Sequence, residues 1–249
     1  MVCCIISDIH SNLEALNAVL DEIHSLPADS LFCLGDLVGY NADPDLCVSK
    51  VVSEAAIIVR GNHDKAVAGI LSMDWFNPIA RKAVIWTRKS ARPETLETVA
   101  SLPEGPLDAG EGVLLCHGAP MDEDRYIMDG VSISESFELL AGEHPDSRVC
   151  FHGHTHVPFM ARMRKKARKP DILPAEGEIE LEKDTIYLIN PGSVGQPRDG
   201  NPRASFGIFD TGRGVYKTIR IAYDMLRTGK KIAAAGLPLE LARRLEEGW

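Results

Sequence analysis

The sequence VRGNHD, residues Val59 to Asp64, directly follows the apolar run Ala55 to Val59. The run is rich in β-branched residues and is bounded by glycine, which is typical of a buried strand that ends in a tight loop. Such a loop would carry an amide, an imidazole and a carboxylate side by side, and each needs a hydrogen bond or a ligand near a core. An ordinary polar turn fits these residues as well, so their meaning depends on the other strand ends.

The composition indicates one mainly aliphatic domain. The chain has 249 residues, of which 45% are apolar and 6% aromatic, and no Pro/Gly/Ser-rich linker divides it. We therefore expect a single domain over 1–249, with a helical insert at 65–106 beside any site and C-terminal helices at 224–249. A net charge of −9 argues against stable binding of long nucleic acids, because their phosphate backbones are bound through Lys and Arg.

Cysteine usage and the start of the chain bear on the compartment. The six cysteines lie mostly in apolar runs and show no CxxC spacing, which fits buried free thiols in a reducing environment. Met1 leads directly into an apolar strand-like run, without the pattern of a signal peptide. No apolar stretch approaches the roughly 20 residues that a membrane span needs. These features predict a cytoplasmic protein without a membrane partner.

Polar residues follow one strand-like run after another. The run Val2 to Ile6 leads to Asp8 and His10, and the run Ser30 to Leu34 leads to Asp36. In open α/β sheets, ligands bind outside the carboxyl ends of the strands. We therefore expect these side chains to gather at one edge of a sheet.

Helical patterns connect the strand-like runs. Capping-box spacing predicts helix starts at Ser11/Glu14 and at Ser132/Glu135. First-turn prolines predict three more starts, at Pro44, Pro78 and Pro93.

Three aromatic residues fall near the second of these prolines, namely Trp75, Phe76 and Trp86. For these we expect packing rather than stacking on a ligand.

A hairpin with a long loop is predicted between 157 and 189. Val157 to Met163 alternates toward a basic tip, and the chain returns through Ile179 to Leu181 and Thr185 to Ile189. The basic residues are expected to form a solvated tip, with phosphate or nucleic-acid contact as the less favoured alternative. They are Arg162, Arg164, Lys165, Lys166, Arg168 and Lys169.

Histidines follow two further strand-like runs. His117 follows one of them, and His152, His154 and His156 fall within five residues after the other. Clustered imidazoles repel each other when protonated, and the spacing suits metal ligation. Together with the carboxylates and an amide oxygen, they form a ligand set that favours Mn, Fe, Zn, Co or Ni over Ca. For His152, a hydrogen bond or simple burial is favoured over ligation.

The order of these motifs, DxH, GD, GNHD, a lone His-Gly and GHTH, resembles the calcineurin-like metallophosphoesterase family. The stretch NPGSVGQPR, from Asn190 to Arg198, resembles a small bacterial and archaeal phosphodiesterase branch of it. The resemblance implies an α/β fold in which two packed mixed β-sheets are flanked by helices, a four-layer αββα sandwich. It also implies two divalent transition-metal ions and hydrolysis of a small phosphoester by a hydroxide shared between them.

The resemblance assigns roles to individual residues. Seven side chains would hold the ions: Asp8, His10 and His156 the first, Asn62, His117 and His154 the second, and Asp36 both. His63 would contact the scissile phosphate and protonate the leaving oxygen, with Asp64 as its orienter. Four residues are candidates for phosphate or leaving-group contact, although packing or surface roles fit them equally: Arg60, Tyr40, Asn41 and Arg198.

A phosphodiesterase is therefore the favoured function. Protein phosphatases and dinucleoside tetraphosphate hydrolases of the family carry GDxVDRG and GNHE, whereas this chain has GDLVGY and ends its loop in Asp64. A phosphomonoesterase, a protein phosphatase or a dinucleoside polyphosphate hydrolase is the alternative within the class. A catalytically silent metal-binding scaffold is the alternative of another class, and nuclease activity would depend on the basic tip.

Overall fold

The computed structural model describes residues 1–164 and 167–249, and these residues form twelve strands and eight α-helices. The strands are β1 (Val2–Ile6), β2 (Ser30–Cys33), β3 (Ile57–Ile58), β4 (Leu107–Asp108), β5 (Val113–Leu115), β6 (Val149–Phe151), β7 (Phe159–Arg164), β8 (Asp171–Leu173), β9 (Gly177–Glu180), β10 (Thr185–Asn190), β11 (Ala204–Asp210) and β12 (Val215–Ile221). The helices are α1 (Leu13–His24), α2 (Pro44–Glu54), α3 (Asn62–Ala68), α4 (Pro78–Ser90), α5 (Pro93–Ser101), α6 (Gly130–Glu143), α7 (Met225–Ala234) and α8 (Leu239–Glu247). No helix within these two ranges is long and apolar enough to cross a bilayer.

The strands form two mixed sheets with the orders β3-β2-β1-β11-β12-β9 and β4-β5-β6-β10-β7-β8. Each sheet contains three neighbouring strands that run parallel. They are β3, β2 and β1 in the first sheet and β5, β6 and β10 in the second. The carboxyl ends of parallel strands lie at the same edge of a sheet. The polar segments that follow these strands are therefore brought to one end of the molecule.

The two sheets pack face to face, and helices cover their outer faces. On β1, Cys3 and Ile5 face the core between the sheets, together with Phe151 and Tyr216. The alternate residues of β1 face α1 and α2, which explains why the whole run is apolar. The helix α6 covers the second sheet through Phe137. The predicted four-layer α/β sandwich is therefore confirmed.

Two predicted helix starts are wrong. The N-cap of α1 is Asn12, whose Oδ1 accepts from the N–H of Ala15, because Ser11 adopts a left-handed conformation and donates its N–H to the Leu37 carbonyl. The N-cap of α6 is Asp129, which forms a reciprocal capping box with Ser132. Ser132 is therefore the third residue of the helix and not its cap.

The predicted hairpin between 157 and 189 is correct for its first and last strands only. The strands β7 and β10 pair antiparallel, as expected, and β8 pairs with the other edge of β7. The segment around Ile179, predicted to be part of the return, instead forms β9 and pairs with β12 in the other sheet.

Two arginines of the basic tip form ion pairs with acidic residues. Arg162 and Arg164 both pair with Asp171 and Glu182. Two of the three lysines of the predicted tip, Lys165 and Lys166, lie outside the described residues.

The helix α4 of segment 65–106 packs with the C-terminal helices α7 and α8 beside Tyr40. Ala83 of α4 shares a buried cluster with Ile232 of α7 and Leu241 of α8, and Trp86 packs on it. Trp75 does not pack, since it is 90% exposed. The expectation of packing holds for Trp86 and is wrong for Trp75, which lies in a 3-10 turn between α3 and α4.

We expect Gly195→Ala to lower the stability of the fold. A Cβ at Gly195 would overlap the backbone carbonyl oxygen of Ile9, which cannot move without displacing the segment that follows β1. Overpacking of this kind costs about 1–3 kcal/mol, and each kcal/mol shifts the Tm by roughly 2–4 °C in a chain of this size. Thermal unfolding followed by circular dichroism measures the shift.

The matched control is Gly142→Ala in α6, where an added Cβ meets nothing within 4 Å. Alanine is more favourable than glycine inside a helix by up to about 1 kcal/mol, so this variant should unfold at a slightly higher temperature. Equal Tm values for the two variants would contradict the close approach of Gly195 to Ile9.

Candidate metal centre

The predicted ligands at the strand ends have an unusual backbone conformation. Five of them have positive φ although none is glycine: Asp8, His10, Asp36, His154 and His156. Such conformations are costly for non-glycine residues and concentrate at functional sites. Backbone hydrogen bonds hold them, for example from the N–H of Asp8 to Gly35 and from the N–H of His10 to the Asp36 carbonyl.

The GNHD sequence forms the first turn of α3 and not a loop, because Gly61 is the N-cap of the helix. The Asp64 carboxylate accepts from the backbone N–H groups of Gly61, Leu37 and Val38 at 3.0, 2.9 and 3.2 Å. These contacts differ from the predicted contact with His63. They fix the loop after β2 to the start of α3, so Asp64 positions the residues around it.

Two groups of side chains have ligand atoms within 4.8 Å of one another. The first group consists of Asp8, His10, Asp36 and His156, and the second of Asp36, His117 and His154. Both groups are buried and they share Asp36. Its Oδ2 lies 3.5 Å from the Nε2 atoms of His10 and of His117.

Asn62 belongs with the second group. Its Oδ1 lies 3.1 Å from Nε2 of His117. All seven predicted ligands are therefore brought together, while their assignment to individual ions stays a prediction.

Hydrogen bonds fix the protonation of the four histidines in these groups. His10, His117 and His156 place Nδ1 at 3.0, 2.8 and 2.7 Å from the carbonyl oxygens of other residues, and His154 places Nε2 at 3.0 Å from the carbonyl of Asp124. A carbonyl can only accept, so each of these ring nitrogens carries the proton. The other nitrogen of each neutral ring is then a lone-pair donor toward a cation.

This arrangement fits bound cations. The Nε2 atoms of His10 and His156 lie 3.0 Å apart, and with both Nδ1 atoms protonated they present lone pairs to each other. Two such acceptors repel each other unless a positive charge lies between them. The Nε2 of His117 lies 3.1 Å from the Oδ1 of Asn62. The donor set of carboxylate, imidazole and amide suits a divalent transition metal.

Burial shifts the pKa values of these groups in opposite directions. It raises the pKa of the Asp8 carboxyl to about 7. It also raises the pKa of Asp36 well above the usual range, with a further contribution from the charge of Asp64. Burial lowers the pKa values of His10, His154 and His156 well below their ordinary range, with smaller contributions from neighbouring positive charges. These three imidazoles are thus neutral before a cation binds, whereas carboxyl protons must be displaced.

We therefore expect cation binding to release protons and to strengthen as the pH rises from about 6 to about 8. A ligand must be deprotonated to bind a metal, and the Asp8 pKa of about 7 falls within this range. Titration of metal-free protein with Mn²⁺ in two buffers of different ionisation enthalpy measures the protons released. More protons should be released at pH 6 than at pH 8, and equal heats in the two buffers at pH 6 would rule out this linkage.

His63 lies beside these groups and faces a cavity. Its ring packs against those of His10, Tyr40 and Phe76, with centroid distances of 4.7, 4.5 and 4.9 Å. It is buried, and its Nδ1 has no hydrogen-bond partner among the residues that the structure describes. The cavity has a volume of about 420 Å³ and is lined by Tyr40, Asn62, His63, Leu71, Trp75, Phe76, Asn77, Ala80, Asp124, Tyr126 and His154.

The four candidate phosphate contacts are placed differently. A terminal nitrogen of Arg198 donates to the Tyr40 hydroxyl at 3.1 Å, and the guanidinium lies over the Tyr40 ring at 5.6 Å. Asn41 is fully buried and donates to the backbone carbonyl of His10 at 2.8 Å. Arg60 forms an ion pair with Glu104 and lies 3.8 Å from Glu123. Arg198 and Tyr40 therefore adjoin the metal centre, Asn41 supports its backbone, and the charge of Arg60 is already balanced.

Sequence reasoning missed the loop that supports His154. Lys65 of α3 forms ion pairs with Glu123 and Asp124 at 2.7 and 2.6 Å. Tyr126 stacks on the His154 ring at 3.8 Å with an interplanar angle of 17°. The sequence MDEDRY resembles an ordinary acidic loop, so nothing in it signalled these contacts.

His152 is not part of either group of ligand atoms. It is fully buried, and burial lowers its pKa to about 4. Its Nδ1 lies 3.4 Å from the amide nitrogen of Asn190, which also donates to the carbonyl of Gly153 at 2.8 Å. These contacts agree with the favoured interpretation of burial.

The fold and the converging ligands define a calcineurin-like phosphoesterase. The calcineurin-like phosphoesterase superfamily domain matches residues 1–214, and the chain belongs to this family. It is 39% identical over 249 residues to the uncharacterized protein MJ0912 of Methanocaldococcus jannaschii, covering 97% of this chain and 96% of the relative.

Two solved structures are similar over the whole chain. A metallophosphoesterase from Sphaerobacter thermophilus is 37% identical with a TM-score of 0.83, covering 100% of this chain and 99% of that one. The hypothetical protein PH1004 from Pyrococcus horikoshii is 17% identical with a TM-score of 0.79, covering 100% and 98%. The second likeness concerns the fold alone.

Proposed function

We propose that this protein is a metal-dependent phosphodiesterase that hydrolyses P–O bonds of small phosphoesters. The observation that carries the proposal is the set of four histidines whose outer ring nitrogens donate to backbone carbonyls. Their remaining nitrogens point lone pairs at buried carboxylates, and a pair of cations would satisfy all of them. Family membership supports a phosphoric ester hydrolase, and the step to a diesterase is our own.

The proposed residues for the cations are the seven that converge. Asp8, His10 and His156 would hold one ion, Asn62, His117 and His154 the other, and Asp36 both. When bound, two Mn, Fe, Zn, Co or Ni ions would supply charge for the phosphate oxygens and a water of near-neutral pKa.

His63 is the proposed proton donor to the leaving oxygen. Burial lowers the pKa of His63 well below its ordinary value, and the charge of Arg198 lowers it further, so the free protein holds a neutral ring. An anionic phosphate in the cavity would raise that pKa, because an opposite charge favours the protonated form. Its Nδ1 is buried against Gly39 and has no partner among the described residues, so Nε2 is the ring nitrogen proposed to hold the proton that the leaving oxygen takes up.

Arg198 and Tyr40 are the proposed phosphate contacts. The guanidinium is held by the Tyr40 hydroxyl and by Oε1 of Gln196, both at 3.1 Å. Its Nε is buried and has no partner among the described residues, and a terminal nitrogen of the guanidinium is the proposed donor to a phosphate oxygen.

The direct test is hydrolysis by metal-reconstituted protein. We expect turnover of bis(4-nitrophenyl) phosphate with at least one of Mn²⁺, Ni²⁺, Co²⁺ and Zn²⁺, and slower turnover of 4-nitrophenyl phosphate. Faster monoester hydrolysis would replace the diesterase with a phosphomonoesterase. If a dinucleoside polyphosphate is cleaved faster than both nitrophenyl esters, the protein is a dinucleoside polyphosphate hydrolase instead. If no ester is hydrolysed with any of the four metals, the result supports a scaffold.

Charge and cysteine usage support the proposed substrate and the proposed compartment. The net charge of −9 and the ion-paired Arg162 and Arg164 favour a small phosphoester over long nucleic acid. The six cysteines are all free and buried, which favours a reducing compartment such as the cytoplasm.

A further inference from the structure

The cavity beside His63 has an aromatic wall that packing does not explain. Trp75 lines it and is 90% exposed. A tryptophan side chain is usually well buried, because it carries a large apolar surface. Trp75 lies in the 3-10 turn that links α3 to α4.

A second aromatic residue lines the same cavity. Tyr126 also lines the cavity and is 44% exposed, while its ring lies on the His154 ring at 3.8 Å. Phe76 contacts the His63 ring edge-on at 4.9 Å. We call the apolar part of the cavity the aromatic pocket; it consists of Leu71, Trp75, Phe76, Ala80 and Tyr126.

The aromatic pocket is continuous with the metal centre. Asn62, His63 and His154 line the same cavity as Trp75 and Tyr126. A group bound in the aromatic pocket would therefore be attached to a phosphate at the metal centre through a short link. The volume of about 420 Å³ falls in the range of small-ligand pockets and suits one ring with its phosphate, not a polymer.

One polar side chain favours a heteroaromatic ring over a plain apolar group. Asn77 lines the cavity, and its Oδ1 accepts from the backbone N–H groups of Ile79 and Ala80 at 3.1 and 3.0 Å. Its amino group is the part that can donate to a ligand. A nucleobase offers ring nitrogens and carbonyl oxygens as acceptors, which an alkyl chain lacks.

We propose that the aromatic pocket binds the nucleobase of the substrate, so that the substrate class is a nucleotide phosphoester. This inference rests on the proposed function, because it places the phosphate of the same molecule at the metal centre. The base stacks on Trp75, in the cavity that Tyr126 and Asn77 also line. The pocket holds one base, and the protein lacks the positive charge that a long strand would need.

Calorimetric titration of metal-loaded protein with phosphonates tests this proposal. The P–C bond of a phosphonate is not hydrolysed, so binding is measured without turnover. The three probes mimic the phosphomonoester product of a diesterase: adenosine with a 5′-methylenephosphonate, ribose with the same group, and hexylphosphonate. Stacking of one base should make the adenosine compound bind about tenfold tighter than the ribose compound.

Variants test whether Trp75 causes the difference in affinity between the adenosine and ribose compounds. Trp75→Ala should remove most of this tenfold difference and leave the affinity for the ribose compound within about twofold of the wild type. Trp249→Ala is the matched control, because Trp249 is also exposed, at 64%, and does not line the cavity. It should preserve the full difference, and Trp75→Phe should restore most of it.

Several results would overturn the proposal. Equal affinities for the adenosine and ribose compounds, or an unchanged difference in Trp75→Ala, would exclude a base at this wall. Hexylphosphonate binding that is as tight as that of the adenosine compound, and as sensitive to Trp75, would assign the pocket to an apolar chain. If the same preparation hydrolyses bis(4-nitrophenyl) phosphate, such results refute the nucleobase alone. Failure to hydrolyse any ester refutes the proposed function.

Discussion

Asp36→Asn should abolish both metal positions together and lower turnover by about 10³-fold or more. Oδ2 of Asp36 is equidistant, at 3.5 Å, from ligand nitrogens of the two groups. An Asn side chain that keeps its oxygen at the Oδ1 position would place an amino group at the Oδ2 position, so neither cation would have its shared ligand. Loss of metal charge at a phosphate costs several kcal/mol of transition-state stabilisation, and about 4 kcal/mol corresponds to about 10³ in rate.

Elemental analysis and kinetics on the same preparation measure this effect. Asp36 Oδ1 also accepts from the N–H of His63 at 2.7 Å, a contact that the amide oxygen of Asn can keep, so the fold should persist. Circular dichroism checks that point. Asp21→Asn, at an exposed position of α1, is the control and should retain metal and activity. Wild-type metal content in the Asp36 variant would contradict the shared role.

His63→Ala should keep its metal and lose about 10²- to 10⁴-fold in turnover of esters with a poor leaving group, the range typical of a general acid. The His63 ring contacts His10, but the metal-facing nitrogens belong to other residues. A good leaving group needs little protonation. The loss should therefore be much smaller for a 4-nitrophenyl ester than for an alkyl ester of the same phosphate.

The comparison of leaving groups separates proton donation from positioning. A purely positioning role would slow both esters equally, and loss of metal would show that His63 supports the ligands. His24→Ala is the matched control, because His24 is exposed and pairs with Glu54 at 2.6 Å, away from the cavity. His24→Ala should change neither the metal content nor the turnover.

Local sequence patterns were sufficient to predict the site residues that lie at strand ends. Asp8, Asp36 and His117 each follow a short apolar run, and parallel strands bring such positions to one edge. Motif order then indicated the family and hence the packing of the two sheets. The residues that come together from distant strands could be named because each lies at a strand end.

The remaining features depend on long-range contacts. Ser11 looked like a helix cap, but its N–H is taken by Leu37, and Asn12 caps the helix instead. The segment around Ile179 looked like part of a hairpin, yet it pairs with β12 of the other sheet. Trp75 and Tyr126 lie in segments without periodicity, so only the assembled cavity shows that both face it.

The five left-handed residues at the strand ends affect how this site could be lost or regained in evolution. Holding Asp8, His10, Asp36, His154 and His156 in that conformation costs on the order of 1 kcal/mol each. A descendant that no longer needed cations would gain stability by exchanging them for glycine or asparagine. Loss of catalysis would then be reinforced by thermodynamics, and regaining it would require restoring both the side chains and their unfavourable backbone.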